Sequence, residues 1–328
     1  MEQDIRVDIK ENFIKKLDDS LLSILLKDHS SGKNIVWATD NYEIKGDGYE
    51  SYSSITVKAI TGRRGNVIKP RVGKSKKEQL HRVKDKAEVF TPSWICNRQN
   101  NLIDNAWFEK ENVFNIEKEK SWHTVTKKIT FPNGKTWQDY VKANRMEISC
   151  GEAPYLCSRY DTVSGLWIEL QDRIGVLDRK IRIINENTAS KEEWLKWVKE
   201  AYKATYGFEW QGDSLLIARE NLLFTFIDYY EGRFTESPDI DTLTEMAKII
   251  SWNIFQMDGL KFVIPNSCKP IPKRQFSIFD IIDGNKDATE LCEGCRKNDN
   301  KLHSGIYVRV MDWEKKKSVR FIDLMEEK

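Results

Sequence analysis

Apolar residues recur at helical spacing in several stretches of the chain. From residue 9 to residue 26 they follow one another every three or four positions, which predicts an amphipathic helix. Capping signals predict two further helices, one starting at Thr91-Pro92 and one at the capping box of residues 190–193. Helical spacing also covers residues 215–227 and about 238–253. Helices are thus predicted in both halves of the chain.

Short apolar runs of strand type lie between the predicted helices. Residues 34–38 and 204–209 are typical of buried strands, and residues 54–60 and 66–72 alternate well enough to be two more. Because apolar runs alternate with helices, the chain is predicted to be an α/β protein with a parallel, helix-covered sheet. Residues 1–86 are expected to form a small, basic, strand-rich region with an N-terminal helix.

The composition indicates a folded protein without a membrane-spanning segment. Of the 328 residues 40% are hydrophobic, and 11 Trp and 14 Phe supply a substantial core. No run approaches the ~18 apolar residues of a membrane span, and the first residues lack the apolar core of a signal peptide. The six cysteines do not resemble a secreted disulfide framework. Reduced thiols, a cytoplasmic location and no membrane partner are therefore expected.

Positive charge is concentrated in residues 58–86. This segment carries eleven Lys or Arg but only Glu78 and Asp85 as acids, whereas the whole chain has a net charge of +2. Blocks of like charge attract polyanions, and basic side chains bind nucleic-acid phosphates with release of counterions. A solvated surface is the alternative. The residues predicted to contact nucleic acid are Arg63, Arg64, Lys76 and Lys77.

Residues 146–156 read Met-Glu-Ile-Ser-Cys-Gly-Glu-Ala-Pro-Tyr-Leu, a strand that ends in a glycine turn. The stretch resembles the first cofactor motif of bacterial DNA amino-methyltransferases, Asp-Pro-Ala-Cys-Gly-Ser-Gly-x-Phe-Leu. Glu147 takes the place of the leading acid, and Cys150 and Gly151 match identically. Glu152 and Ala153 replace the Ser and Gly that follow. The resemblance implies that this turn binds a cofactor.

Three more segments resemble the same family, in the same order. Residues 87–92, Ala-Glu-Val-Phe-Thr-Pro, are similar to the Gly-Glu-Val-Phe-Thr-Pro signature, whose aromatic packs on the methionine end of the cofactor. The resemblance implies that role for Phe90 and makes Thr91 a further cofactor-binding residue. Glu209 ends a predicted strand and precedes an Ala-Arg-x-Asn-Leu helix, where the family's acid binds both ribose hydroxyls. Asp258 lies in a segment resembling the third motif, whose Asp receives the adenine amino group.

The joint match, from residue 87 to residue 260, resembles adenine-N6 DNA methyltransferases, including the modification subunits of restriction systems. It implies a Rossmann-like sheet with helices on both faces, S-adenosylmethionine (SAM) as cofactor, an adenine-containing DNA duplex as substrate, and a restriction-system partner subunit. The implied domains are residues 1–86, a SAM-binding core of residues 87–265 with an insertion at about 159–187, and a C-terminal segment of residues 266–328 with a terminal hairpin.

The catalytic motif departs from the family. These enzymes use [Asp/Asn/Ser]-Pro-Pro-[Tyr/Phe], yet the sequence contains no Pro-Pro. In linear motif order Asn285 would take its place, without the prolines or the aromatic. In a permuted order, Asp40 would orient the target amine and Tyr42 would stack on the flipped base, with residues 54–72 supplying the later strands. The permuted order is preferred.

Two functional alternatives stay open, as does one metal site. Loss of the catalytic motif would leave a SAM-binding regulatory or specificity subunit, and base stacking with phosphate contact does not distinguish DNA from RNA as the methylated polymer. Cys292 and Cys295 are a two-spaced thiol pair, with Cys268 and His303 as further potential zinc ligands. Because a second matching pair is missing, reduced thiols are preferred and no metal site is predicted.

Overall fold

The three-stranded parallel sheet that positions the candidate site runs in the order β3-β4-β5. The computed structural model describes residues 11–86, 88, 90–272 and 289–325. Three antiparallel strand pairs form separate two-stranded sheets, and among these residues their strands do not pair with the parallel sheet. The strands are β1 (Asn115–Glu117), β2 (Trp122–Thr124), β3 (Arg145–Ile148), β4 (Thr205–Glu209), β5 (Ile254–Gln256), β6 (Ile271–Pro272), β7 (Thr289–Glu290), β8 (Arg309–Asp312) and β9 (Lys317–Arg320).

Helices make up most of the regular structure in the described residues. Four short 3-10 turns accompany them, at Glu43–Lys45, Gly62–Arg64, Arg71–Gly73 and Leu170–Asp172. The α-helices are α1 (Glu11–Leu17), α2 (Asp19–Leu26), α3 (Val57–Ile60), α4 (Lys76–Lys86), α5 (Ser93–Phe108), α6 (Trp137–Lys142), α7 (Val176–Asn187), α8 (Lys191–Lys203), α9 (Gly212–Phe234), α10 (Ile240–Asn253), α11 (Glu293–Lys297) and α12 (Phe321–Leu324).

The sheet is parallel because helices connect its strands. The chain passes from β3 to β4 through α7 and α8, and from β4 to β5 through α9 and α10. Glu147 pairs with Gly207, and Glu209 pairs with Gln256, so all three strands end at one edge. The predicted α/β class with a parallel sheet is confirmed. Among the described residues no further strand pairs with β3 or β5.

The main core surrounds α9, which is buried along most of its length. Trp194 of α8 packs against three aromatic rings of α9, with ring centroids 5.3–6.1 Å apart. A second, smaller core lies under the β8–β9 hairpin, where Phe321 contacts Phe208 and Phe255 of the sheet. The C-terminal hairpin is thus packed on the same sheet as the predicted cofactor motifs.

The N-terminal region is not strand-rich over residues 11–86, the part of it that the structure describes, and that prediction is wrong. Residues 54–72 contain α3 and two 3-10 turns, and only isolated bridges such as Val36 with Ser54 have strand pairing. The Thr56 hydroxyl accepts a hydrogen bond from the Ala59 amide, which caps α3 and turns the chain away from an extended course. The apolar residues of this region point into the core from turns and a short helix. Their alternating spacing is therefore not caused by a strand.

The first predicted helix is interrupted. The Asp18 side chain accepts a hydrogen bond from the Ser20 amide at 2.6 Å and thereby starts a new helix, α2, directly after α1. Residues 9 and 10 of that prediction lie outside the described residues. None of the described helices combines the length and the apolar character that crossing a membrane requires.

Candidate functional site

A pocket of about 830 Å³ opens at the carboxyl edge of the parallel sheet. Its volume falls in the range of about 300–1,000 Å³ common for small-molecule sites, and this edge is where open α/β sheets bind ligands. Seven of the nine residues predicted for catalysis and cofactor binding line it. They are Asp40, Phe90, Thr91, Glu147, Cys150, Gly151 and Glu209.

The turn after β3 has an unusual backbone. The backbone enters the left-handed region at three positions, with φ values of 51° at Ser149, 53° at Gly151 and 64° at Ala153. Residues other than glycine rarely adopt this conformation. The Cys150 side chain packs inward, and a Cβ added at Gly207 would lie 3.3 Å from its sulfur. Gly207 therefore allows the turn to lie directly on β4.

Glu209 joins the turn after β3 to the end of β4. Its Oε2 accepts a hydrogen bond from the Gly151 amide at 2.9 Å, and its Oε1 accepts two from the Trp210 and Gln211 amides at 2.9 and 3.1 Å. Burial raises the pKa of Glu209, and these backbone donors act in the opposite direction. The carboxyl group is thus fixed at the wall of the pocket by two separate segments.

Glu147 is the second buried acid of the pocket. Burial raises its pKa well above the ordinary value, although the backbone N–H groups of Tyr155 and Leu156 act against this shift. Its Oε2 has no hydrogen-bond partner among the residues that the structure describes. A buried polar oxygen without a partner is costly, so a ligand that hydrogen-bonds to this oxygen would remove the cost.

The N-terminal region supplies one wall of the pocket. The Gln256 side chain bonds to both the backbone N–H and the backbone C=O of Val36 at 2.8 Å, and the Trp210 indole donates to the Ala38 carbonyl at 2.9 Å. These bonds tie residues 36–38 across the ends of β4 and β5. Ala38 has a φ of 53°, and the chain turns there to bring Asp40 to the pocket.

Tyr42 does not face the pocket, which corrects its assignment as the stacking aromatic. Only 4% of Tyr42 is exposed, its ring lies 4.5 Å from that of Trp37, and its hydroxyl donates to Asp213 at 2.7 Å. A flipped base has no access to the ring there. The position of Tyr42 in the sequence close to Asp40 did not place both side chains in one site.

Asp258 also lies outside the pocket lining, contrary to its predicted contact with adenine. Its Oδ1 accepts hydrogen bonds from the Leu260 and Lys261 amides at 3.0 and 3.1 Å, so the carboxylate organises its own turn. Lys261 also forms an ion pair with Asp258, with its Nζ atom 3.6 Å from Oδ2.

A buried ion cluster lies beside the pocket. Asp213, at the start of α9, pairs with Arg82 and with Lys74 at 3.5 Å, and Arg82 also pairs with Glu88 at 2.9 Å. Glu88 in turn lines the pocket and accepts a hydrogen bond from Ser214. Two cations of the basic segment are therefore structural and are not free for nucleic-acid phosphates.

The four residues predicted to contact nucleic acid are all exposed. Two of them, Arg63 and Arg64, belong to a 3-10 turn, and the other two begin α4. The guanidinium of Arg64 lies 5.6 Å from the ring of Tyr49. Exposure fits phosphate contact, and the contact itself stays a prediction.

Several pocket residues were missed at the level of the sequence. Trp210 and Gln211 follow Glu209 directly, so their position after a strand-end acid was a usable signal. Glu152 was seen only as a departure from the first motif, yet its buried carboxylate accepts hydrogen bonds from the Arg71 amide and the Tyr160 hydroxyl. The pocket lining also contains Ser149, Glu88, Ser214 and Asn266, which were not predicted, and no motif pointed to Asn266.

The structure brings together four potential metal ligands near the C-terminus. The ligand atoms of Cys268, Cys292, Cys295 and His303 all lie within 4.8 Å of one another. The sequence alone favours no metal site because it lacks a second thiol pair, whereas the structure adds Cys268 and His303 to the pair at Cys292 and Cys295. Asn285, the catalytic residue of the linear alternative, lies outside the described residues.

No protein-family model, curated protein or solved structure matches this chain.

Proposed function

We propose that the pocket binds SAM and that the protein transfers its methyl group to N6 of adenine in DNA. The observation that carries this proposal is the bond between Glu209 and the Gly151 amide, which joins a strand-end acid to a glycine turn in one pocket. This pairing of features suits SAM, because a ribose hydroxyl can donate to the acid while the charged methionine group lies along the turn. A cytoplasmic location and a restriction-system partner remain predictions.

Each part of the pocket has a role in this proposal. The backbone amides occupy three of the roughly four lone-pair sites of the Glu209 carboxylate, so one site on Oε2 is left to accept a ribose hydroxyl. Phe90, Tyr155 and Trp210 offer apolar surface to the adenosyl and methionine groups. Glu147 has a buried oxygen that can accept from the methionine ammonium group.

In the proposed reaction the cofactor supplies an electrophilic methyl group. Asp40 accepts a hydrogen bond from the adenine N6 amino group and so orients the nitrogen lone pair toward the pocket. The cofactor would supply the methyl group to N6 and leave as a neutral thioether, and the proton lost from the amine would pass to solvent. Asp40 is the acid of the N-terminal wall that faces the pocket, which favours it over Tyr42 for this role.

A second candidate is a SAM-binding subunit that performs no transfer itself. Two observations support it. Tyr42 is buried and cannot stack on a base, and the sequence lacks the Pro-Pro that normally shapes a base-binding loop. In that case the pocket would report SAM to a partner subunit. Binding without methyl transfer by the wild-type chain would favour this candidate.

Replacing Glu209 with Gln is expected to weaken SAM binding about 10- to 150-fold. The change removes a charge-assisted hydrogen bond to a ribose hydroxyl, worth about 1.5–3 kcal/mol. Isothermal titration calorimetry with SAM and with S-adenosylhomocysteine would measure the loss. Glu119→Gln is the matched control, because Glu119 is exposed and lies outside the pocket lining. A folded wild-type chain that binds neither compound would refute the proposed cofactor.

Replacing Arg63, Arg64, Lys76 and Lys77 together with Ala is expected to flatten the salt dependence of DNA binding. Each lost phosphate contact removes about 0.9 from the slope of log affinity against log salt, so four contacts remove at most about 3.6. Fluorescence anisotropy with a labelled duplex over a range of salt concentrations measures this slope. The same titration with RNA in competition tests whether DNA is the preferred polymer.

The matched control for this measurement carries four exposed lysines changed to Ala outside the basic segment, at Lys118, Lys120, Lys127 and Lys128. It removes the same net charge without the proposed contacts. Equal slopes for the two quadruple variants would assign the basic segment to an ordinary solvated surface.

A further inference from the structure

Four side chains near the C-terminus converge on one point. The Nδ1 atom of His303 lies 3.7 Å from the sulfur of Cys268, 3.8 Å from that of Cys292 and 3.6 Å from that of Cys295. All four ligand atoms lie within 4.8 Å of one another. Cys292 and His303 are buried, and the other two cysteines are partly buried.

The three nitrogen–sulfur distances match the edges of a zinc tetrahedron. With Zn–S bonds of about 2.3 Å and Zn–N bonds of about 2.0–2.1 Å, tetrahedral geometry places sulfur and nitrogen about 3.6 Å apart and two sulfurs about 3.8 Å apart. Three thiolates and one imidazole are a common donor set of structural zinc sites, and tetrahedral sulfur-rich sites favour zinc over magnesium or calcium.

The local backbone permits this approach because two glycines lie in contact with the ligands. A Cβ added at Gly294 would come within 2.5 Å of the His303 amide, and one at Gly305 would come within 3.0 Å of the Cys268 sulfur. The Gly294 amide donates to the Leu302 carbonyl at 3.0 Å, which holds α11 against the segment that carries His303. The close approach of the backbone at these two glycines thus fixes the positions of the ligand side chains.

We propose that Cys268, Cys292, Cys295 and His303 bind one zinc ion. The four protein ligands fill the tetrahedron and leave no position for water or substrate, so the site is structural. Each cysteine binds as the thiolate, and its proton is released to solvent. The proposal does not depend on the proposed methyltransferase function.

The site would fasten the C-terminal part of the chain to the rest. Cys268 precedes residues 273–288 and the other three ligands follow them, so one ion joins both ends of that stretch. Zinc with three thiolates carries a net charge of −1. Asn266, at the pocket, lies only two positions before Cys268.

The proposal predicts one zinc ion per chain in the protein purified without added chelator, measured by inductively coupled plasma mass spectrometry. Cobalt(II) substitution should give the thiolate charge-transfer absorption and the intense visible bands of a tetrahedral sulfur site. Cys292→Ser combined with Cys295→Ser should lower zinc affinity by more than about 100-fold, because even changes beyond the ligands cost 10- to 100-fold.

Two further variants keep the test decisive if the double variant does not fold. Cys157→Ser changes a buried cysteine outside the cluster and should retain the zinc, whereas His303→Cys should retain it with an altered cobalt spectrum. Wild-type protein that is folded, has reduced thiols and binds neither zinc nor cobalt would overturn the proposal. A disulfide between Cys292 and Cys295 in protein purified under reducing conditions would also overturn it.

Discussion

Asp213→Asn is expected to lower the free energy of unfolding by about 3–5 kcal/mol, the cost of removing one partner from a buried ion pair. Asp213 is fully buried and is the shared anion of Lys74 and Arg82. An asparagine of the same size would remove the charge that Lys74 and Arg82 share, and Arg82 would retain its ion pair with Glu88. It would also remove an acid from the first turn of α9, where the helix dipole favours negative charge.

Urea denaturation at neutral pH would measure this loss, with Asp241→Asn as the matched control. Asp241 is also in the first turn of a helix, α10, but it is exposed. The control should change stability by less than about 0.5 kcal/mol. A loss for Asp213→Asn as small as that of the control would show that the ion cluster does not hold the N-terminal region in place.

The stabilisation by Asp213 should depend on pH. Burial alone would raise the pKa of this carboxyl, but Arg82 and Lys74 lower it well below its ordinary value of 3.8. A group with a lower pKa in the folded state stabilises that state above its unfolded pKa, and the contribution is lost as the pH falls through the folded pKa. The difference between wild type and Asp213→Asn should therefore shrink below about pH 3.8.

Asp40→Ala is expected to reduce methyl transfer by more than about 100-fold while SAM affinity stays the same. The proposed hydrogen bond from the target amine is made at the reacting nitrogen, where such groups are commonly worth about 3 kcal/mol. The cofactor contacts proposed for Glu147 and Glu209 do not involve Asp40. Transfer of labelled methyl groups from SAM to mixed-sequence DNA, together with calorimetric SAM binding, separates the two effects.

The matched control is Asp47→Ala, which removes an exposed acid of the same N-terminal region outside the pocket lining. It should leave both measurements unchanged. Retained transfer by Asp40→Ala would reject Asp40 as the residue that orients the amine. If the wild-type chain binds SAM tightly but methylates neither DNA nor RNA, the non-catalytic SAM-binding subunit is the better account.

The sequence predicted the parts of the site that depend on local pattern. The turn after β3 and the acid at the end of β4 were both assigned from short segments. The resemblance assigned Glu147, Gly151 and Glu209 to one cofactor site, and the three residues do line one pocket, because the strands that carry them end at the same edge of the sheet. The succession of β4, α9 and α10 likewise follows from periodicity, which is a property of neighbouring residues, whereas residues 54–72 do not form the strands that their alternation predicted.

The tertiary structure decided which distant residues join that edge. Asp40 and Tyr42 are two positions apart, yet bonds from Gln256 and Trp210 to residues 36–38 direct Asp40 to the pocket, while Asp213 draws Tyr42 into the core. The four metal-ligand side chains come from positions 268 to 303 and meet only through the packing of turns. The positions of these side chains depend on contacts between residues far apart in sequence, and local periodicity carries no information about such contacts.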